Sequence, residues 1–586
     1  MAISNFGLVQ YTHPMNEVNT VTRYAIRPEL PREIDQELAP YSPLVRKLLY
    51  ARGILTKKSA EQFLSPNYEE DLHDPFLLPD MEKSVVRILA AIERGERIVI
   101  FGDYDADGVP GSALLANLFE KIGYKDFSVH IPHRHIDGYS LNLGAIETFV
   151  NQGVKLLITV DCGITDIEEV AAAKVGGIDV IITDHHEPHD ELPDAFAIVN
   201  VKRKDATYPF PYLCGAGTAF KLAQALIARG NFGLPIGWEK WLLDLAGLST
   251  ICDMVPLQGE NRAIAKFGLA VLSKTRRPGL VSMMRKLRLE MGGITEDDVA
   301  FSIGPRINTA SRMTHGQEAF ELLSTNDWVR ARALGDHLDS QLKIRNRHSA
   351  KVADDIAKEF SDGTSSIVVA GRDDWHLGVL SFAANRVLEK YGRPVCLWAP
   401  AEGKIRGSIR SDGSVKVLEL FYKAGGKDLF LDFGGHDVSG GFSIAKEKIT
   451  ELKPRLTEAY EDIGQELVLP EIVVDGTLSL AAVTYALEKE IRTLAPFGVG
   501  NPKPLFLFEN VRIATKKIFG ADSSHIEFTL TDESGVRVKA ISFFNALEYK
   551  DRVQTGDSVS IIGSIERSTF GGTVSLRIRI EEILTV

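Results

Sequence analysis

Residues 99–115 read VIFGDYDADGVPGSALL, an apolar run that breaks into aspartates at alternate positions, Asp103, Asp105 and Asp107. Three carboxylates this close repel one another unless something positive sits between them. The Val/Ile/Phe run reads as a buried strand, and the residues after Gly108 read as an apolar helix. The opening D-x-D-x-D-G also fits the start of a calcium-binding EF-hand loop, which requires a bidentate Glu at its twelfth position. Leu114 stands there and a strand precedes the loop, so the EF-hand reading fails.

The same pattern recurs downstream. The run KLLITV leads into Asp161, and IDVIIT leads into Asp184-His185-His186. Helical stretches such as GSALLANLFEKIG, LGAIETFVNQG and IEEVAAAKVGG separate these runs. Continuous aliphatic strands alternating with helices predict a doubly wound parallel sheet over residues 85–315. Ligand sites in such sheets lie outside the carboxyl ends of the strands. Asp103, Asp105, Asp107, Asp161 and the His185–His186 pair are therefore expected on one edge. Asp253, in STICDMVPLQGENR, follows another apolar run, although strand character is weaker there.

One Asp after a strand is an ordinary helix cap or turn residue. Several Asp and a His pair at successive strand ends instead predict a metal site. Carboxylates with imidazole and no thiolate suit Mn²⁺ or Mg²⁺. A ligand set this rich suggests two ions, which in such sites sit about 3.5–4 Å apart and clamp a phosphoryl group.

A chain of 586 residues is too long for one hydrophobic core, so several domains are expected. No apolar run approaches the roughly 20 residues that span a bilayer, and the first residues lack a secretory-signal pattern. The four cysteines (Cys162, Cys214, Cys252 and Cys396) form no CxxC, which favours reduced thiols in the cytoplasm over a disulfide framework. The net charge of −12 argues against nucleic acid at first sight. Basic residues nevertheless cluster in 273–290 and 341–351, either as local patches or as solvated helix faces.

Beyond the first α/β region, residues 318–360 have no internal Pro and read as one connecting helix, placed at 316–362. A second, smaller α/β segment spans 363–460 and ends near a glycine-rich stretch, LFLDFGGHDVSGGFSI. The tail, 461–586, has short alternating strands that predict a small β-barrel. Residues 1–84 mix helical pattern with Pro-rich breaks.

GDYDADG, VDCG, TDHHEP, DMVPLQGENR, PRINTASRM, GSIRS, GGHDVSGGFSI and PFGVGNPKPLF stand in this order. In these motifs the chain resembles the RecJ-type exonucleases of the DHH phosphoesterase superfamily over nearly its whole length. The resemblance implies 5′→3′ degradation of single-stranded DNA to mononucleotides in repair and recombination, with two Mn²⁺ or Mg²⁺ ions. It implies metal ligation by Asp103 or Asp105, Asp107, Asp161, His185 and Asp253, with Asp161 between the ions. His186 would face the scissile phosphate and Asp184 would orient the histidine pair. Gly434, Gly435 and His436 would belong to a DHH-associated nucleotide-binding domain, and Ser408 and Arg410 would anchor a 5′-phosphate. Arg306 and Arg312 would be further phosphate contacts, and the β tail an oligonucleotide-binding (OB) barrel.

Phe519, Phe543 and Phe544 are stacking candidates in that barrel, although core packing is expected to claim at least two of them. The chain departs from the family at Pro110, where a small polar residue is usual, and at Ser311, where glycine commonly precedes the arginine. The resemblance further implies a monomer without a membrane partner, and names a single-strand-binding protein and a helicase as candidate partners. Two alternatives remain at this point: a non-catalytic Cdc45-like DNA-binding scaffold, and a phosphodiesterase for short oligonucleotides or cyclic dinucleotides.

Overall fold

The structure is a computed structural model that describes residues 9–11, 22–360, 365–401, 403–463, 471–520, 523–568 and 574–585. The chain forms two compact units, one of residues 73–255 and 267–468, the other of 1–72, 256–266 and 469–586.

The first unit begins with helix α1 (Met81–Arg94), whose Val85, Ile88 and Ala91 are buried along one stripe. A five-stranded parallel sheet follows, made of β1 (Ile98–Gly102), β2 (Phe127–His130), β3 (Leu156–Val160), β4 (Asp179–Asp184) and β5 (Ala197–Asn200). Their spatial order is β2-β1-β3-β4-β5. The chain leaves β1 for one edge and returns to β3 on the other side, so the topological switch point lies between β1 and β3. β1 and β3 are buried throughout, as expected for strands covered on both faces. Helix α2 (Gly108–Lys121) leaves β1, and α3 (Gly215–Arg229) and α4 (Leu243–Cys252) pack against it.

The sequence boundary at residue 84 falls inside α1, because that helix packs on β5 and α3 of the α/β unit. The expected single connecting helix is two helices. Preceded by α5 (Gly304–Met313), α6 (Gly316–Ser324) ends at Thr325, and α7 (Trp328–Glu359) restarts after Asp327. The Asp327 carboxylate caps α7 by accepting from the amides of Val329 and Arg330. The STND turn is thus a stop followed by an N-cap, a break that the lack of Pro concealed.

Beyond α7 lies a second sheet of β6 (Val368–Gly371), β7 (Val395–Ala401), β8 (Lys404–Arg410), β9 (Asp432–His436) and β10 (Ser439–Ala445), ordered β9-β10-β8-β7-β6. Only β6 and β7 are parallel in it. Helix Ile449–Ile463 closes this segment beyond the expected boundary at 460.

In the other unit, β11 (Phe506–Phe519), β12 (His525–Thr531), β13 (Arg537–Ser542), β14 (Ser558–Ser568) and β15 (Ser575–Thr585) close into a barrel through the β11–β14 pairing. Alternate residues of β12 (Ile526, Phe528 and Leu530) point into its core. Leu48 of helix Pro43–Tyr50 joins the same cluster, so the N-terminal segment packs as part of the barrel's unit. Arg262 is fully buried there and satisfied by the carbonyls of Phe63, Leu494, Ala495 and Pro496. Among the described residues no helix is long and apolar enough to cross a membrane.

Candidate metal centre and nucleic-acid site

Asp103 follows β1, Asp161 follows β3 and Asp184 ends β4, so all three lie at the carboxyl edge of the sheet and the first two flank the switch point. The Asp103 amide donates to Val160 O and the Asp161 amide to Thr183 O, which extends the ladder to these two aspartates. Asp161 has φ 66°, a left-handed conformation that costs a non-glycine residue about 1–3 kcal/mol. Such strain persists only where the surroundings impose it, and here it turns the carboxylate into the cleft.

The His185 ring Nε2 lies 3.1 Å from Asp161 Oδ1, 3.7 Å from Asp107 Oδ2 and 3.7 Å from Asp253 Oδ2. Three sets of donor atoms converge: Asp103, Asp105 and Asp161; Asp107, His185 and Asp253; and Asp161, His185 and His186. The donor atoms of each set lie within 4.8 Å of one another, close enough to share one cation. Asp161 belongs to two of these sets, and so does His185.

The groups fit a cation because they are badly served without one. Asp103 Oδ1 and Asp161 Oδ1 are buried and have no hydrogen-bond partner among the described residues. Burial, and then the neighbouring carboxylates, push Asp103 and Asp161 well above the usual carboxylate range, and push Asp253 up to about 9. A bound divalent cation inverts that balance and leaves the carboxylates ionised. Burial lowers the His185 pKa despite the pull of Asp107, which keeps the imidazole in the neutral form that ligates metal.

The remaining partners fix orientation. The Asp107 carboxylate accepts from the amides of Gly215 (2.6 Å) and Ala216 (2.8 Å) at the start of α3. A Cβ on Gly215 would lie 2.4 Å from that of Asp161, so only glycine permits this approach. Asp105 Oδ1 accepts from the amides of Asp107 and Gly108 and ties the DYDADG turn to itself. Asp184 is saturated: Oδ1 accepts from the His185 amide, the His186 amide and His186 Nδ1 (2.8 Å), and Oδ2 accepts from the Ile164 amide. Burial lowers the His186 pKa, but the hydrogen bond and charge of Asp184 outweigh it and raise the pKa. The His186 ring is thereby held with Nε2 as its remaining nitrogen.

Asp253 is not at a strand end. It caps the C-terminus of α4, a helix buried from Leu243 to Ile251 with polar Asp244, Ser249 and Thr250 included, so its sequence carries no amphipathic period to distinguish it from a strand.

The basic candidates divide. Arg306 is committed to Asp339 through Nε and Nη2 and to Ser302 O through Nη1, so its donors serve packing between α5 and α7. Arg312 donates to Ser381 Oγ, and burial together with the charges of Arg134 and Arg345 lowers its pKa to about 9. Arg134 lies over the Tyr104 ring, and Arg345 is buried against Phe382 with its Nε unpartnered. Arg134 and Tyr139, whose hydroxyl stands 3.3 Å from His186 Nδ1, escaped the sequence reading, whereas Arg345 stands in the basic cluster 341–351. A single Arg or Tyr in a loop or helix carries no spacing signal.

Ser408 and Arg410 share one face of β8, with Arg410 Nη1 donating to Ser408 Oγ (3.0 Å) and to Ile409 O. Gly434 faces open space and His436 is exposed. Gly435 is required by the sheet itself, since a Cβ there would meet Ser439 O at 2.2 Å.

On the barrel, the rings of Phe519, Phe543 and Phe544 surround His525 at 5.3, 5.3 and 4.7 Å, and Arg577 and Arg579 stack over Phe543. None of the three phenylalanines enters the barrel core, contrary to the packing expected for two of them. Phe544 is exposed, at φ 69°.

The profile of the DHH family, N-terminal domain, matches residues 97–250, the DHHA1 domain matches 363–462 and the RecJ OB domain matches 474–582. The single-stranded-DNA-specific exonuclease RecJ of Haemophilus influenzae is 30% identical over 92% of this chain and 96% of its own length. The chain belongs to the RecJ family. The RecJ of Bacillus subtilis is 35% identical over 89% of this chain, which spans about two thirds (66%) of that longer relative. The crystal structure of Thermus thermophilus RecJ in complex with Mn²⁺ superposes with a TM-score of 0.79 at 27% identity, covering 95% of this chain and 78% of that one. The same protein in complex with Mg²⁺ gives 0.73 at 26%, covering 96% and 78%. Fold and family thus agree with the carboxylate cleft as a Mn²⁺ or Mg²⁺ centre.

Proposed function

We propose that the chain is an exonuclease that degrades single-stranded DNA from its 5′ end to mononucleotides, in DNA repair and recombination. The observation that carries this reading is the convergence of Asp103, Asp105, Asp107, Asp161, His185 and Asp253 at the switch point, with buried carboxylate oxygens left unpartnered. Two Mn²⁺ or Mg²⁺ ions held by these residues would supply activation of water and neutralisation of phosphate charge.

The chain's own groups do the rest. Asp184 holds His186 so that its Nε2 meets the scissile phosphate as a charge-assisted donor. Arg312, Arg134 and Arg345 form a cationic wall without carboxylate partners among the described residues, suited to the phosphates of an incoming strand. Arg410 keeps Nε and Nη2 without partners among the described residues, and with Ser408 it offers the terminal 5′-phosphate a fork and a hydroxyl. Gly434 and His436 present open backbone and an exposed imidazole to the same nucleotide. The Phe519, Phe543 and Phe544 cluster with Arg577 and Arg579 offers stacking and charge to unpaired bases.

All four cysteines are free thiols, which suits a reducing compartment such as the cytoplasm. In this reading the protein works as a monomer alongside a single-strand-binding protein and a helicase.

Digestion of 5′- and 3′-labelled single-stranded and duplex DNA with Mn²⁺ tests the proposal. Early release of the 5′ label as mononucleotide from single strands only is expected. Early release of the 3′ label, or equal digestion of duplex, would overturn it.

A further inference from the structure

Helices α2 and α4 each carry a metal-site carboxylate at one end, Asp107 before α2 and Asp253 after α4. The two helices pack together, and their opposite ends border a second cavity of about 310 Å³. Asn117 lies ten residues along α2 from Asp107, and Asp244 lies nine residues before Asp253, which at 1.5 Å per residue puts the cavity about 15 Å from the carboxylate cleft. None of the carboxylates or histidines of that cleft lines it.

The cavity wall has three kinds of group. Trp238 and Trp241 supply indole faces, and Trp241 is half exposed. Arg276 is exposed and lies 5.8 Å from the Trp241 ring, and Arg277 enters beside it. Asp244 is buried; its Oδ2 accepts from Thr275 Oγ1 and Arg277 Nε, both at 2.8 Å, which fixes Arg277 in the wall, while its Oδ1 is enclosed and has no partner among the described residues. Arg277 Nη2 reaches Asn117 Oδ1 at 3.4 Å, and Nη1 has no partner among the described residues.

Indole rings stack a flat ring, and adjacent guanidiniums bind a dianion. A 5′-nucleoside monophosphate carries both complementary features in one molecule. The volume, near the lower end of the roughly 300–1,000 Å³ usual for small-molecule sites, suits one nucleotide. The geometry points to a binding site for a single 5′-mononucleotide, its base against the indoles and its phosphate against the arginines. That this ligand would also be the reaction product rests on the exonuclease reading; the recognition chemistry of the cavity does not.

The test is calorimetric titration of 2′-deoxyguanosine 5′-monophosphate into full-length Asp161→Ala protein with EDTA present, so that neither hydrolysis nor metal-dependent binding contributes. Saturable one-site binding is expected, weakened about tenfold or more by adding Trp241→Ala and largely restored by Trp241→Phe, which keeps a stacking ring. With an intact cleft, Trp241→Ala alone should digest DNA at the wild-type initial rate. Absence of saturable binding, or equal affinity with and without the Trp241 ring, would overturn the site. Binding in a protein that fails to digest DNA would uphold this site and remove the exonuclease reading instead.

Discussion

Two clusters of buried carboxylate in the same unit behave in opposite ways. Asp339 on α7 is buried, yet Arg306, Lys286 and Lys343 surround it at 2.7, 3.5 and 2.9 Å. Burial raises its pKa, but the hydrogen bonds from Lys343 and Arg306 and the charges of Arg306 and Lys286 overcome that and leave it at about 2. Asp161 is buried more deeply still, and burial, followed by the charges of Asp107, Asp105, Asp103 and Asp253, drives its pKa the other way. The first cluster is complete within the chain and holds helices together. The second is incomplete within the chain, and its missing charge is what marks it as a site.

The largest effect that sharpens this contrast is expected at Asp161. Asp161→Ala should lower kcat at least a thousandfold, since metal stabilisation of transition-state charge is worth several kcal/mol and about 4 kcal/mol is a thousandfold. Its thermal midpoint without metal should stay at or above wild type, because an unpartnered buried carboxylate is removed. A clear loss of apo-protein stability, measured by calorimetric melting, would place Asp161 with Asp339 as a structural group.

A smaller effect is expected at Arg410, an arginine satisfied on one nitrogen only. Arg410→Ala should cut kcat/KM on 5′-phosphorylated strands about ten- to a hundredfold more than on 5′-hydroxyl strands, as hydrogen bonds to charged groups are worth ~1.5–3 kcal/mol. Equal losses on both substrates would assign Arg410 to the fold of β8.

Smallest is the latch itself. Asp339→Asn should cost about 1–3 kcal/mol of stability and leave turnover per folded molecule unchanged. A carboxylate whose folded pKa lies below its unfolded value stabilises above that unfolded value and loses its contribution as pH falls through the folded one. Between about pH 4 and pH 2 the wild type should therefore lose stability that Asp339→Asn has already lost. Parallel melting curves for the two proteins over that window would contradict the assignment.

Why the two clusters differ in legibility follows from their chemistry. Asp103, Asp105, Asp107, Asp161 and Asp184 were readable because a parallel strand announces itself by a continuous aliphatic run, and its end can be located to a residue. Asp253 was found as a residue but misplaced, since a helix buried from Leu243 to Ile251 has no exposed face to mark its period. Arg134 and Tyr139 were invisible because each meets the cleft from a distant segment with no local pattern, and Arg345, inside the basic cluster 341–351, could not be told from a solvated helix face. Arg306 stood in a recognisable motif, yet its role depends on Asp339, 33 residues away on another helix. Sequence periodicity shows where a strand ends; it does not show which charges are satisfied.

The most direct test of the account is a calorimetric titration of metal-free protein with Mn²⁺, wild type against Asp161→Ala. Two ions per chain are predicted for the wild type and at most one for the variant, because Asp161 shares two of the three donor sets. Fewer than two ions in the wild type, or two undiminished in the variant, would contradict it.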